Sequence, residues 1–359
     1  MILEPDSYVP SLRWRMGERQ ALLRLEDGAK ARVVPFIVIP EIEYDFEKEE
    51  MKHTLQEHVE PFPNLYKKKW DIRPAWIDVH PKIQTQKMDD GKLPIGWVFD
   101  QLDSKNAAVP VTSLDSTSAI NAAVATIAKR DGRGFGIRAR IEHVMKPKFK
   151  EALDALMAAI GVKPDSVDLI IDLGAPNYEP YADFADALIG ALTFLGDLKQ
   201  FRSYILMGCA YPEAITLDKP GGDLPRHDWL FYEVFVGKLA KGARIPNFAD
   251  YTIVNPNFTP RDMRRIKSGG RVVYTDKGNW HVRKGGAFRD NPAQMHDHCM
   301  YIVGSGKFRG ADFSAGDDYI EKCAKKDAGP SSQTRWKEVA ISHHIMHVLE
   351  DIAKYGAAA

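Results

Sequence analysis

Cysteine is scarce in this 359-residue chain, and the scarcity removes one class of architecture at once. Only Cys209, Cys299 and Cys323 occur, an odd number with no paired spacing. That excludes a disulfide framework and suits a reducing cytoplasm. Nowhere does the chain approach the roughly 18 consecutive apolar residues of a membrane helix. Residues 1–8 carry two acids and no base, unlike the basic start of a signal peptide. The expectation is a soluble cytoplasmic protein with no membrane partner. An excess of one charge is lacking too, since 49 Lys and Arg oppose 49 Asp and Glu. Global electrostatics therefore select no partner.

Several catalytic signatures are also missing. There is no GxSxG nucleophile elbow. Gly304-Ser305-Gly306-Lys307 resembles the end of a phosphate loop, but Tyr301 replaces the earlier glycine and Phe308 the hydroxyl residue. Gly132, Gly134 and Gly136 lack the following helix of a dinucleotide fingerprint. His343, His344 and His347 have helical spacing, yet Ala340 and Ile341 rule out HExxH. A surface or cap-packing role is expected for them, as for the group His296, His298 and Cys299, and no metal set is assigned.

What is present is a rhythm. Short β-branched or apolar runs at 8–14, 33–42, 75–80, 108–114, 134–142, 167–173, 203–209 and 250–255 are each followed by a segment able to form a helix. Strands alternating with helices imply parallel β-α-β units, because a parallel neighbour needs a crossover. Eight units fit a closed (β/α)₈ TIM-like barrel over 1–258. Residues 259–359 then form a C-terminal extension, with a hairpin at 271–283 and helices near 291–303, 316–324 and 335–355. Amphipathic spacing supports helices at 17–25, 116–130, 149–160 and 184–195. Two connections read poorly: 46–73 as a loop excursion, and 93–102 as a weak helix with Pro94 and Gly96 near its start.

Barrel chemistry gathers at the C-terminal ends of the strands, and there the chain places charge. In the fifth run Arg138, Arg140 and Glu142 alternate onto one face. A buried guanidinium needs a partner, and Asp172 in the next run is the natural one, with Arg140 its expected mate. The pair reads either as an internal bridge closing the barrel or as part of a fork for phosphate or carboxylate. Glu41 and Glu43 leave the second run, Asp78 and His80 the third. Such carboxylates converging near a histidine suit acid–base chemistry or a hard cation such as Mg²⁺ or Mn²⁺; an N-cap role is the plainer alternative for one of them. Glu41, Asp78 and Asp172 are thus the catalytic candidates, and Arg13, His80, Arg138, Arg140 and Asn255 the phosphate-binding candidates. Local charge is uneven. Residues 41–60 hold eight acids against two bases, read as a solvated face. Residues 261–309 hold eleven bases against four acids, and Arg264, Arg265 and Arg271 there are expected to meet polyanions weakly.

Two stretches carry a resemblance. Tyr8-Val9-Pro10-Ser11-Leu12-Arg13-Trp14-Arg15-Met16-Gly17-Glu18, followed by Val34-Pro35-Phe36-Ile37-Val38-Ile39-Pro40-Glu41-Ile42, opens the chain. Near its end stand Phe308-Arg309-Gly310-Ala311-Asp312-Phe313-Ser314-Ala315-Gly316-Asp317-Asp318-Tyr319-Ile320, then Trp336 and His343-His344. In this order the chain resembles the phage beta protein family from residue 8 to about 350. The resemblance implies a phage or prokaryotic genome and a link to mobile elements and anti-phage defence. It implies no established reaction, so no catalytic residue is inherited. Asp312, Ser314 and Asp317 read as a polar loop that lids the barrel mouth, or as an ordinary helix cap. Two functions compete. One is a barrel acting on a nucleotide or nucleic acid, a hydrolase of phosphodiesters or nucleotides if it is an enzyme. The other is a non-enzymatic sensor or scaffold for a phage or partner defence protein, with Trp280 and Phe288 as exposed interface aromatics. An open polar mouth holding Arg138 and Asp172 favours the first; a mouth plugged by the C-terminal segment favours the second.

Overall fold

Runs of β-branched residues buried on both sides leave a strand no free face, and closing the sheet is one way to bury them all. A computed structural model describes residues 3–257 and 268–356. Its strands, in chain order, begin with β1 (Val9–Arg13), β2 (Phe36–Ile39), β3 (Tyr44–Asp45), β4 (Glu50–Met51), β5 (Ala75–Val79) and β6 (Ala108–Ser113). Then come β7 (Phe135–Arg140), β8 (Val167–Asp172), β9 (Ser203–Gly208), β10 (Gly221–Pro225), β11 (Asn247–Asp250), β12 (Gly269–Asp276) and β13 (Asn279–Ala287). Eight of them form a closed parallel barrel in the order β1, β2, β5, β6, β7, β8, β9, β11. The expected (β/α)₈ barrel is therefore the fold.

The helices follow the same rhythm: α1 (Met16–Leu23), α2 (Asp27–Arg32), α3 (Leu55–Val59), α4 (Phe62–Lys69), α5 (Pro94–Gln101), α6 (Ser118–Asp131) and α7 (Ile141–Val144). After them come α8 (Phe149–Ile160), α9 (Tyr181–Thr193), α10 (His227–Lys238), α11 (Gln294–Gly304), α12 (Ala315–Ala324) and α13 (Gln333–Gly356). The excursion expected at 46–73 holds more structure than its composition suggests. A β3–β4 ribbon leads into α3, whose Thr54 and Glu57 form a reciprocal capping box. The helix at 93–102 is regular, because Pro94 sits at its first position, where the missing N–H has no partner to lose.

Inside the barrel, alternation sets two polar layers. The lower is a plug: Trp76 Nε1 donates to Asp168 Oδ2 at 2.8 Å, and Arg202 clamps both oxygens of that carboxylate. Gly136 makes room for it, since a Cβ there would lie 3.1 Å from Trp76 and 3.2 Å from Val111. The upper layer lies at the strand ends and forms the candidate site.

Two strand boundaries differ from expectation. The fifth run ends at Arg140, the N-cap of α7, so Glu142 belongs to a helical turn rather than the strand. The last barrel strand is Asn247–Asp250 rather than 250–255; Thr252, at φ 56°, turns the chain out of the sheet.

In the C-terminal segment β12 and β13 pair antiparallel, in register from Asp276 opposite Asn279, and β10 pairs with β13 as a third strand. Trp280 is fully buried, correcting its reading as an exposed aromatic, because its face of the hairpin packs on the barrel core. Phe288 is half-buried against a second apolar cluster that includes Tyr274, Met295 and Trp336. Helix α13 lies between α1 and α10, tied by Lys337–Glu18 and Arg226–Asp351 ion pairs. Its Ile341, Ile345, Val348 and Ile352 join the barrel's own core.

Candidate ligand cleft at the barrel mouth

Strand parity turns Arg13 of β1, Asp78 of β5, Arg138 of β7 and Asp172 of β8 toward the barrel axis. At the C-terminal ends Arg13, Arg138 and Asp172 border an open cleft of about 430 Å³, with Asp78 behind Arg138 rather than in its wall. Ser11, His80, Arg140, Glu142 and Tyr251 line it as well.

Arg138 is the centre of a closed network. Its Nε donates to Asp172 Oδ2 at 2.8 Å, Nη1 to Asp78 Oδ2 at 2.9 Å, and Nη2 to the Tyr251 hydroxyl at 2.9 Å. That hydroxyl donates in turn to Asp172 Oδ2 at 2.8 Å. The remaining carboxylate oxygens take backbone donors, Val79 N at Asp78 and Gly174 N at Asp172. Burial pushes the Asp78 carboxyl up despite Arg138 beside it. Burial alone would discharge Arg138, but Tyr251, Asp172 and Asp78 overrule it and hold the guanidinium charged. Burial likewise pushes the Tyr251 phenol well up, so it stays a donor.

The expected Arg140–Asp172 pair is corrected by this geometry. The two residues are register neighbours, but Arg140 is the last residue of its strand and leans outward. Its Nη1 lies 3.9 Å from Asp115, and its side chain is 45% exposed. Arg138 lies one pleat lower, and its long stem reaches up the axis to both carboxylates.

Beside this network, Glu41 is buried and faces His80 and Arg15. Burial would raise its carboxyl, but a backbone N–H, His80, Arg13 and Arg15 together hold it below the usual range. Desolvation lowers His80 against the pull of Glu41 and keeps the ring neutral near pH 7. Arg13 donates from Nη2 to Pro256 O at 2.6 Å. Glu43 is half-exposed and pairs with Lys52 at 2.8 Å. Arg15 and Tyr251 carried no signal read from the sequence. Parity counted one residue beyond the last strand would have pointed Tyr251 inward.

Asn255 is buried beneath the rim, not in the cleft wall. Its Nδ2 donates to Tyr211 O and its Oδ1 accepts from Asn257 N, which shapes the loop that does line the cleft. Asp312, Ser314 and Asp317 do not lid the mouth. They lie against α13 on the outside of the barrel, where Ser314 caps α12 and Asp317 is fully buried. Asp317 accepts from the Tyr274 hydroxyl and pairs with His343 Nδ1 at 2.9 Å. The histidines are likewise interior rather than on the surface. His343 also reaches Thr275 O, His344 bridges Thr275 Oγ1 and Asp250, and His347 accepts the Lys277 N–H.

Among the described residues no three His, Cys, Asp or Glu side chains converge as a metal-holding group. Asp78 and Asp172 are already committed to Arg138, so this arrangement does not fit a protein-held Mg²⁺ or Mn²⁺. No helix among the described residues is long and apolar enough to cross a membrane. Arg264 and Arg265 lie outside the described residues. Elsewhere in the basic stretch, Lys284 donates to Ile215 O and Leu217 O, Lys307 pairs with Asp276, and Arg309 with Glu350. The family described as Beta protein matches the chain over residues 8–350. No curated protein matches it.

Proposed function

The chain belongs to the Beta protein family, and from that premise and the cleft's geometry we propose that it binds a phosphate-bearing ligand at the barrel mouth. The ligand class is a nucleotide or nucleic acid, and the setting is anti-phage defence, the role implied by the likeness to phage beta proteins. One observation carries the reading: an open cleft at the strand C-termini, walled by Arg13 and Arg140 and floored by the rigid Arg138 network. Arg140 supplies an exposed planar fork of the kind that pairs with phosphate. Arg138, its donors engaged by Asp78, Asp172 and Tyr251, holds the floor in place rather than reaching for ligand. A hydrolytic step would draw on His80, which lines the cleft and is backed by the Glu41 carboxylate at 3.7 Å.

A sensor or scaffold role is the second reading, and the engagement of Arg138 by Asp78, Asp172 and Tyr251 favours it, because that network forms without a ligand. Against it, none of the cleft-lining residues comes from the described part of the C-terminal segment. Titration with labelled nucleotides and short single strands, with and without Mg²⁺, separates the two. Saturable binding that Arg140→Glu weakens at least about tenfold supports the ligand cleft, since one charge-assisted bond is worth roughly 1.5–3 kcal/mol. No binding by the folded parent protein would leave the scaffold reading standing.

A further inference from the structure

The wall of the mouth carries an acid that the barrel itself does not use. Among the described residues two carboxylates line the cleft, Asp172 and Glu142. Asp172 is spent, its oxygens taken by Arg138, the Tyr251 hydroxyl and Gly174 N–H. Glu142 is exposed in the first turn of α7, two residues after Arg140. No hydrogen bond or ion pair joins it to a described residue. Helix α7 is a single four-residue turn, so few peptide dipoles add up to hold a charge there. The carboxylate is accessible and uncommitted.

A free carboxylate in the wall of an anion site repels the ligand, unless the ligand brings donors to meet it. A carboxylate only accepts, through two oxygens side by side. The ligand that fits therefore has phosphate at one end and paired N–H donors at the other. Ile141, Leu173, Pro176 and Val254 give the same cleft an apolar lining for a flat ring. Among the common bases, guanine sets two N–H donors next to each other, N1–H and the 2-amino group. Adenine and cytosine place a ring-nitrogen lone pair beside their amine, and it would face the carboxylate with like polarity. Uracil and thymine flank their one N–H with carbonyl oxygens.

We propose that Glu142 is the base-reading residue of the mouth and that the ligand is a guanine nucleotide, its phosphate at Arg140 and its N1–H and 2-amino edge on Glu142. The inference rests on the phosphate reading above and narrows it to one base. Arg140 and Glu142 flank Ile141 in the chain, and all three line the cleft. Phosphate fork, apolar contact and acceptor thus stand on three successive residues of the rim.

The test is calorimetric titration of the full chain with guanosine, inosine and adenosine 5′-monophosphates and with ribose 5-phosphate, which has no base. The guanosine ester should bind at least about fivefold more tightly than the adenosine ester, the low end of what a bidentate contact gives between bases. The inosine ester, lacking only the 2-amino group, should fall between them. Glu142→Gln should abolish the guanine preference, because an amide pairs one acceptor with one donor, as the adenine edge does. Binding of ribose 5-phosphate by that variant should be no weaker. Equal affinities for the guanosine and adenosine esters in the parent protein, with ribose 5-phosphate still bound, overturn the base assignment and leave the phosphate reading intact. A guanine preference that persists in folded Glu142→Gln overturns it equally. Failure of all four to bind overturns the phosphate reading itself, and the base assignment falls with it.

Discussion

Arg138 and Arg140 stand two residues apart on the same strand face, yet their positions give them opposite physical roles. Arg138 is 16% exposed and holds two carboxylates that burial would otherwise penalise, whereas Arg140 meets solvent. Arg138→Met strands Asp78 and Asp172 without a counter-charge and should cost about 3–5 kcal/mol in urea denaturation. Arg140→Met should change stability by no more than about 0.5 kcal/mol. Equal costs would return Arg140 to the interior. A second residue-scale effect concerns Asp228, which burial and the nearby Asp250 push up to about 7. Its folded-state carboxyl binds a proton more tightly than the unfolded one. The stability linked to it is therefore full below about pH 4 and lost as pH rises through about 7. Asp228→Asn should flatten that part of the stability–pH profile; an unchanged slope between pH 4 and 7 would remove Asp228 as its source.

At the scale of elements, strand β7 shows how one chain segment serves two layers. Gly136 yields space to the Trp76 plug below, Arg138 anchors the polar layer above, and Arg140 ends the strand at the rim. Filling the glycine should be felt through the whole barrel. Gly136→Val overpacks Trp76 and Val111, at a cost of about 1–3 kcal/mol, measurable as a lowered Tm. An unshifted Tm would mean that the plug yields easily. Helix α13 is the other organising element. Its histidines join the hairpin and Asp250 of β11, so the basic C-terminal stretch is fastened to the barrel through buried polar bonds rather than lying over it.

For the whole molecule, neutral net charge hides a division of labour between spent and available cations. Lys284, Lys307 and Arg309 are engaged by internal acceptors, while Arg271 is exposed on β12. Binding of a phosphate ligand at the mouth should raise Tm with ligand concentration, by linkage to the folded state. Association with single-stranded nucleic acid should weaken as salt rises, with a slope reporting few phosphate contacts. Arg271→Glu tests the outer surface and Arg140→Glu the mouth. Loss of the salt-dependent term in only one of them locates the polyanion contact, and loss in neither removes both surfaces.

Period and punctuation in the sequence were enough to determine the (β/α)₈ barrel. It follows from local alternation, helical spacing and turn residues, which neighbours in the chain specify by themselves. The inward face of the fifth strand was legible for the same reason. Strand ends were less so: the exit after Asp250 depends on a positive φ at Thr252, and the end at Arg140 on where α7 begins. Only tertiary structure decided which guanidinium meets which carboxylate. Register neighbours Arg140 and Asp172 diverge at the rim, while Arg138 finds Asp78 from a strand 60 residues away. It also decided that His343 and His344 are interior and that Ser314 and Asp317 face α13 instead of the mouth. Burial and side-chain reach depend on what packs opposite, and no periodicity along a single chain encodes that.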